Sequence, residues 1–217
     1  DVNVGWKKWA MVTSFSHNHY GDLRMGREGP DDYLRTWYVE RIDSLDVVRT
    51  NPDPHLQNPT GYSQTNLMQK ISFRPSENWE FQYGFHYSVT TGYARYDRLL
   101  QTRKGLPRSA EWNYGPQEWM MNNLTLSHHG TNSLYDQLTL RLAWQNFAES
   151  RINRDFNKSI RYHREEKVSA GSVNADFLKS FNGKHTLYYG LEWVLNHVKS
   201  TGEDENITNG RDRKSVV

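Results

Sequence analysis

The side chains best suited to hold a ligand are four consecutive residues that follow a long alternating segment. They are Arg95, Tyr96, Asp97 and Arg98. Two guanidinium groups beside one carboxylate can clamp an anionic substrate through paired hydrogen bonds. The same charges can instead pair with one another and pin the loop, which is the favoured interpretation.

Two aromatic residues further along the same segment can add a flat binding surface. Trp112 and Tyr114 are expected either to line a substrate surface or to pack within the protein. Trp119 follows at the start of a strand, and we expect it at a membrane interface, where tryptophan is enriched. Ligand binding is therefore predicted first in the segment 90–117.

Histidine is the other residue type that invites a ligand. His17 and His19 are two residues apart, so they share one strand face near the entry to a loop. Exposed histidines there can serve as axial ligands of haem. A role in a solvated loop or an aromatic belt is favoured. His128 and His129 lie beside a tight turn, where an interfacial role needs no ligand.

Other chemistries lack the residues they need. The sequence has no Cys and no G-x-S-x-G, H-E-x-x-H or Walker pattern. No catalytic residue, metal site or cofactor is therefore predicted, and we expect no enzyme.

Five aspartates of one long loop lack the residue spacing of a calcium-binding loop, and we expect them on a solvated surface. These aspartates are Asp22, Asp31, Asp32, Asp43 and Asp46. The acidic run 203–205 is expected in a loop.

The composition is unusual for a water-soluble protein of 217 residues. Aromatic residues make up 13%, yet the mean hydropathy is −0.91. The net charge is only +2, from 27 basic and 25 acidic residues, and no basic tract indicates a nucleic-acid partner. Rings on one strand face and polar groups on the other are typical of a transmembrane β-barrel.

The positioning elements are predicted from strict alternation. Residues 79–89 alternate apolar and polar over about 36 Å, which is enough for a tilted strand to cross a bilayer. Similar alternation recurs around residues 138–144 and 187–195. The predicted membrane-facing side chains are Trp79, Phe81, Tyr83, Phe85, Tyr87, Leu138, Leu140, Leu142, Leu187, Tyr189, Leu191 and Trp193.

Short and long connections alternate along the chain. Tight turns are predicted near residues 74–78, 130–133 and 182–183, and long extracellular loops near 20–60, 90–117, 148–164 and 200–217. The seven strands that remain lie at about 9–18, 62–74, 79–90, 118–129, 135–147, 165–180 and 185–199. The sequence predicts an all-β, antiparallel meander of long strands that forms part of a barrel.

An odd number of strands with two open edges is not a finished barrel. The sequence has no run of 18 apolar residues and no signal peptide at its start. We therefore expect the whole of residues 1–217 to be a fragment whose true N-terminus lies upstream.

Three segments resemble a known family. They are Phe15–Gly26, Asn58–Gln64 and Gly92–Trp119, the last containing R-Y-D-R-L followed by A-E-W-N-Y-G-P-Q-E-W. They resemble the barrel region of TonB-dependent receptors of the Bacteroidetes type. The likeness covers residues 9 to about 199.

That resemblance implies a 22-stranded barrel in the outer membrane of a Gram-negative bacterium. An N-terminal plug, absent from this sequence, would close the barrel and contact TonB. The partners implied are outer-membrane lipid, the remaining barrel and plug, and an extracellular small molecule or glycan. The nutrient would be an iron chelate, haem, cobalamin or glycan, bound by the loops 20–60 and 90–117.

Two other interpretations remain open. The alternation can face the core of a soluble sandwich, so that the chain is a carbohydrate-binding module in which Trp112 and Tyr114 stack on sugars. Strands of eleven residues argue against it, because sandwich strands are shorter. An outer-membrane enzyme ranks last, since no catalytic set is present.

Overall fold

The computed structural model describes residues 1–216, with side chains described for residues 1–210. A 3₁₀ helix spans Asp31–Tyr33, and a one-turn helix, α1, spans Tyr96–Leu99. The strands, in chain order, are β1 Val2–Gly5, β2 Trp9–Tyr20, β3 Leu23–Arg24, β4 Trp37–Ile42, β5 Leu45–Thr50, β6 Leu56–Gln57, β7 Tyr62–Ser76, β8 Trp79–Thr90, β9 Tyr93–Ala94, β10 Thr102–Arg103, β11 Leu106–Pro107, β12 Ser109–Tyr114, β13 Glu118–His129, β14 Gln137–Asp155, β15 Ile160–Phe181, β16 His185–Asn206 and β17 Arg211–Val216.

Most of these strands form one antiparallel sheet in the order β1-β2-β7-β8-β13-β14-β15-β16-β17. β12 continues the line of β13 along the far half of β14, and β9 pairs with β12. The predicted all-β architecture of long antiparallel strands is confirmed. Each of the seven predicted strands corresponds to one strand of this sheet, namely β2, β7, β8, β13, β14, β15 and β16.

Two of the predicted long loops are wrong. The loop expected at 148–164 is only the connection 156–159, because β14 and β15 continue into it. The loop expected at 200–217 contains the end of β16 and all of β17, joined by residues 207–210. Val217 lies outside the described residues.

Hydropathy could not reveal these strand extensions because both of their faces are polar. Their backbones stay paired, and charged side chains add contacts between strands. Arg164 lies 3.2 Å from Asp204, and Arg161 lies 3.1 Å from Glu205. Alternation therefore marked where the apolar part of each strand ends, not where the strand ends.

One face of the sheet, which we call the apolar face, carries the predicted outward side chains. Tyr83, Leu124 and Leu142 are direct cross-strand neighbours, and Val173 and Trp193 continue the same row. The register places all twelve predicted side chains on this face. The opposite face is polar.

Polar groups on the apolar face bond to one another. The Thr13 hydroxyl donates to Gln69 Oε1 at 2.6 Å, and the Tyr83 hydroxyl donates to Asn122 Oδ1 at 2.6 Å. Gln69 interrupts the alternation of β7 but is satisfied by its neighbour. Such pairing removes much of the cost of placing these groups in an apolar environment.

Ring contacts cross the end of the sheet that holds the connections 77–78, 130–136 and 182–184, which we call the short-turn end. Trp79 lies 4.1 Å from His128 between ring centroids, and Phe177 lies 4.9 Å from Tyr189. The series of contacting rings runs Trp9, Phe73, Phe81, Trp79, His128, Tyr135, Phe177 and Tyr189. A continuous row of aromatic rings therefore crosses neighbouring strands at the short-turn end.

Within residues 1–210, the sheet has no buried hydrophobic core. Among residues 1–210, Leu99 is the only buried hydrophobic side chain, and it lies in α1 rather than in the sheet. On the apolar face, Leu191 is 78% exposed and Trp193 is 61% exposed. No helix within residues 1–216 is long and apolar enough to cross a membrane.

A glycine permits close packing between β15 and β16. A Cβ added at Gly190 would lie 2.6 Å from the Ala175 carbonyl oxygen, whereas one added at Gly171 meets nothing within 4 Å. Gly190→Ala should therefore lower the free energy of unfolding by about 1–3 kcal/mol through overpacking. The measurement is urea unfolding in detergent micelles, with Gly171→Ala as the matched control. Equal midpoints for the two variants would contradict the described register.

Candidate ligand-binding site

The two longest connections, 21–61 and 91–117, both lie at the loop end, opposite the short-turn end. The first contains the hairpin β4–β5. The second folds back on itself, and the Arg95 N–H donates to the Trp112 carbonyl at 2.8 Å. This backbone bond brings the two predicted halves of the site, separated in sequence, to the same place.

Arg95 is the centre of this site. Its Nε donates to Asp97 Oδ1 at 2.8 Å, and its Nη1 donates to the Tyr114 hydroxyl at 3.0 Å. Its guanidinium carbon lies 5.2 Å from the centroid of the Trp112 ring. Arg95 is therefore satisfied by the protein, as expected if these charges pin the loop.

Arg98 is less well paired. Its guanidinium carbon lies 5.8 Å from the Trp112 ring, and its Nε is 4.0 Å from Asp97 Oδ2. That Nε is buried without a hydrogen-bond partner among the described residues, while the side chain is 39% exposed. Arg98 thus has capacity to bind a further acceptor.

A line of tyrosines leads to the site along the polar face. Tyr20 contacts Tyr62 at 4.9 Å, Tyr62 contacts Tyr93 at 5.5 Å, and Tyr93 contacts Tyr114 at 6.0 Å, all between ring centroids. Trp112 extends the line with an edge-on contact of 5.1 Å to Tyr114. Sequence reasoning missed the first three rings because they come from three different strands.

His17 and His19 do not join this site. They share the apolar face with Phe15, opposite Tyr20, and both are exposed. Their Nδ1 atoms bond to the hydroxyls of Thr65 and Ser63, each at 2.9 Å. Within residues 1–210, no group of three His, Asp or Glu side chains is arranged to hold a metal ion.

Tyr96 faces the other connection. Its hydroxyl donates to the Tyr33 carbonyl, and its ring lies 5.7 Å from the guanidinium of Arg35. α1 therefore joins the connections 21–61 and 91–117, with Arg98 facing Trp112 and Tyr96 facing Arg35.

The prediction that Asp46 lies on a solvated surface is wrong. Its side chain is fully buried, and Arg154 Nη1 and Nη2 donate to its two oxygens at 2.7 and 2.8 Å. The Asn157 N–H also donates to Oδ2 at 2.7 Å. This pair fastens the hairpin β4–β5 to the tip of β14, although the two residues are 108 positions apart.

The charges continue as a series beyond Arg154. Arg154 Nε donates to Glu111 at 2.9 Å, and Arg161 Nε donates to the other oxygen of Glu111 at 2.6 Å. Arg161 also binds Glu205, which lies 2.8 Å from His163 Nε2. Residues 203–205 are therefore paired strand residues, not the free loop predicted.

Asp22, also expected on the surface, closes the base of the connection 21–61. Its Oδ1 accepts hydrogen bonds from the N–H groups of Thr60 and Gly61, at 2.7 and 2.8 Å. The Leu23 N–H in turn donates to the Thr60 hydroxyl at 2.8 Å. A capping role for a polar residue at a strand end is not visible from composition alone.

The buried carboxyls are held ionised. Burial alone would raise the pKa of Asp46, but hydrogen bonds from Arg154 and Asn157 hold this pKa below its ordinary value. Burial likewise works against the Glu111 charge, yet Arg161 and Arg154 lower the pKa of Glu111. The carboxylates and guanidinium groups thus stabilise one another, fully buried at Asp46 and Arg154 and partly exposed at Glu111 and Arg161.

No protein-family model matches this chain, and no curated protein or solved structure compared with it matches either.

Replacing Asp46 should release the hairpin β4–β5. Asp46→Asn leaves a buried Arg154 with one carboxylate fewer, and breaking such a pair costs about 3–5 kcal/mol. Hydrogen exchange of residues 37–50 should accelerate accordingly. Glu40→Gln is the control, because Glu40 pairs with Arg49 at 3.1 Å on the exposed side of the same hairpin and should cost under about 1 kcal/mol. If both variants exchange alike, Asp46 does not anchor the hairpin.

Acid should loosen the same contact. A carboxyl with a lowered folded-state pKa stabilises the fold above its unfolded pKa, and the ordinary values are 3.8 for Asp46 and 4.5 for Glu111. Protection of residues 37–50 should be constant from about pH 7 to 5 and should fall below about pH 4. Hydrogen exchange corrected for its intrinsic pH dependence measures this, and loss above pH 5 would show that another group controls the loop.

Proposed function

We propose that this chain forms part of the wall and outer loops of an outer-membrane β-barrel, in a receptor of the TonB-dependent type. The apolar face would contact lipid, the polar face would line the lumen, and the loop end would face outside the cell. The observation that carries this proposal is the apolar face itself, which continues across neighbouring long strands and is not covered by any other part of residues 1–216.

Two features of the apolar face support lipid as its occupant. A lipid core offers no water, so polar groups within it need protein partners. Thr13, Gln69, Tyr83 and Asn122 have such partners on this face. The rings at the short-turn end resemble the aromatic girdles of transmembrane barrels.

The polar face supports a lumen. Glu80 accepts hydrogen bonds from Gln82 and Ser72 and pairs with Arg74 at 2.9 Å. Arg141 pairs with Asp176 further along the sheet. Such ion pairs are typical of a water-filled or plugged barrel interior.

Within this proposal, the loop end captures the nutrient. The tyrosine line on the polar face and the Arg98–Trp112 pair would bind it at the mouth of the lumen. A plug and TonB would then drive its passage inward. His17 and His19 lie on the opposite face and give no support to haem ligation at this mouth.

The alternative, a soluble carbohydrate-binding module, requires a second layer about 10 Å from the apolar face. Residues 1–216 supply no such layer, and their long strands exceed those of typical sandwiches. The exposed ring of Tyr20 and the partly buried ring of Trp112 fit sugar stacking in either case, so they do not distinguish the two functions.

A pair of neighbouring substitutions tests the proposal. Leu142→Arg places a charge on the apolar face, where the midplane of a bilayer penalises it by about 2–4 kcal/mol. Ala143→Arg places the same charge on the polar face and is the matched control. Folding into phospholipid vesicles, followed by resistance to protease and by gel mobility without heating, should be impaired only for Leu142→Arg.

Folding in buffer without detergent or lipid distinguishes the membrane barrel from the soluble carbohydrate-binding module. If the unmodified chain folds cooperatively as a monomer without detergent or lipid, the membrane proposal fails. Equal insertion of both arginine variants would also overturn it, because the two faces would then have the same surroundings.

A further inference from the structure

Arg35 is held rigidly within the connection 21–61. Its N–H donates to the Pro54 carbonyl at 2.7 Å, and its carbonyl accepts a hydrogen bond from Asn51 Nδ2 at 2.8 Å. Asn51 is itself buried and also donates to the Leu56 carbonyl. The backbone around Arg35 is thus fixed by bonds that do not involve its side chain.

The guanidinium of Arg35 lies near two aromatic rings and forms no ion pair with a carboxylate of residues 1–210. Its carbon is 5.3 Å from the Trp37 ring and 5.7 Å from the Tyr96 ring. Nε and Nη1 are both buried without a hydrogen-bond partner among the described residues. Burial lowers the pKa of Arg35, and Tyr96 opposes this change only in part.

Arg154, which is equally buried, has the carboxylate partners that Arg35 lacks. Both arginines are 1% exposed, and they are the largest fully buried side chains of residues 1–210. Arg154 binds two carboxylates, those of Asp46 and Glu111. No carboxylate of residues 1–210 pairs with Arg35. A buried charge without a counter-ion is strongly unfavourable, and ring contacts compensate for it only weakly.

Positive charges also outnumber negative charges around α1. Arg35, Arg95 and Arg98 contribute three positive charges there, and Asp97 contributes one negative charge. Arg98 also has a buried Nε without a partner, and its side chain reaches solvent. Arg35 and Arg98 therefore each have at least one buried N–H group without an acceptor among the described residues.

We propose that Arg35 recognises an oxyanion, a carboxylate or phosphate group carried by a soluble ligand that binds beside α1. Trp37 and Tyr96 orient the guanidinium, and Arg98, in the same short helix as Tyr96 and 39% exposed, offers a second guanidinium. The inference deepens the proposed function, on which it rests for the ligand being a nutrient. It assigns that nutrient to the anionic class.

The test uses the 217-residue chain refolded in non-ionic detergent micelles, which contain no lipid phosphate. Tryptophan fluorescence is followed while inorganic phosphate or citrate is added at constant ionic strength, with glucose as a neutral probe. Saturable binding of phosphate or citrate, and none of glucose, is expected. Arg35→Gln should weaken that binding at least tenfold.

Arg49→Gln is the matched control, since Arg49 lies in the same connection 21–61, on the hairpin β4–β5, and its side chain is 51% exposed. It should bind like the unmodified chain. Unchanged affinity in a folded Arg35→Gln, or no saturable binding by the unmodified chain, overturns the proposal. If Arg35→Gln does not fold, hydrogen exchange of the unmodified chain decides, because bound phosphate or citrate must slow exchange of residues 33–37 and α1.

Insertion into phospholipid vesicles, measured in a separate experiment on the same protein variants, distinguishes failure of the oxyanion proposal from failure of the barrel proposal. Oxyanion binding without insertion leaves the Arg35 site standing and removes the outer-membrane function. Insertion without Arg35-dependent binding leaves the barrel standing and removes the oxyanion site.

Discussion

The structure depends on one constraint: a single sheet has one apolar face that residues 1–216 do not cover. Burial of apolar surface normally supplies most of the free energy of folding. Here the only buried hydrophobic side chain of residues 1–210 is Leu99, outside the sheet. Whatever covers the apolar face must provide that free energy instead. The paired polar groups, the edge of rings and the long strands all suit a lipid covering.

The loop end is organised by a different interaction. Without a buried hydrophobic core in residues 1–210, the two long connections are held by buried charge pairs and by the hydrogen bond from Tyr96 of α1 to the Tyr33 carbonyl. The ion pair between Asp46 and Arg154 joins the hairpin β4–β5 to β14. Glu111 forms ion pairs with both Arg154 and Arg161 and so links β12 to β14 and β15. Such pairs require good geometry on both partners to overcome desolvation. They therefore fix the loops in one arrangement. Arg35 differs from Arg154 because it is equally buried but forms no ion pair with a carboxylate of residues 1–210.

Sequence reasoning predicted the sheet well because alternation reports directly which strand face is apolar. It failed where both faces are polar, so that β14, β15 and β16 run further than expected. It placed Arg95, Asp97, Arg98, Trp112 and Tyr114 in one segment, and the structure brings them together. It could not find Asp46 or Arg35, because a residue's counter-ion, or the lack of one, depends on contacts between distant segments.

The most direct test of the account is the environment of β8, read one residue at a time. The chain has no cysteine, so a single spin label can be placed at each of positions 80 to 83 and 85 to 87 in lipid vesicles without background. Gly84 is left unlabelled, because a Cβ there would lie 2.2 Å from Asn123 Oδ1. Collision rates with oxygen, which partitions into lipid, should be high at 81, 83, 85 and 87. Collision rates with a water-soluble nickel complex should be high at 80, 82 and 86. Uniform access to the nickel complex along the strand would contradict the account.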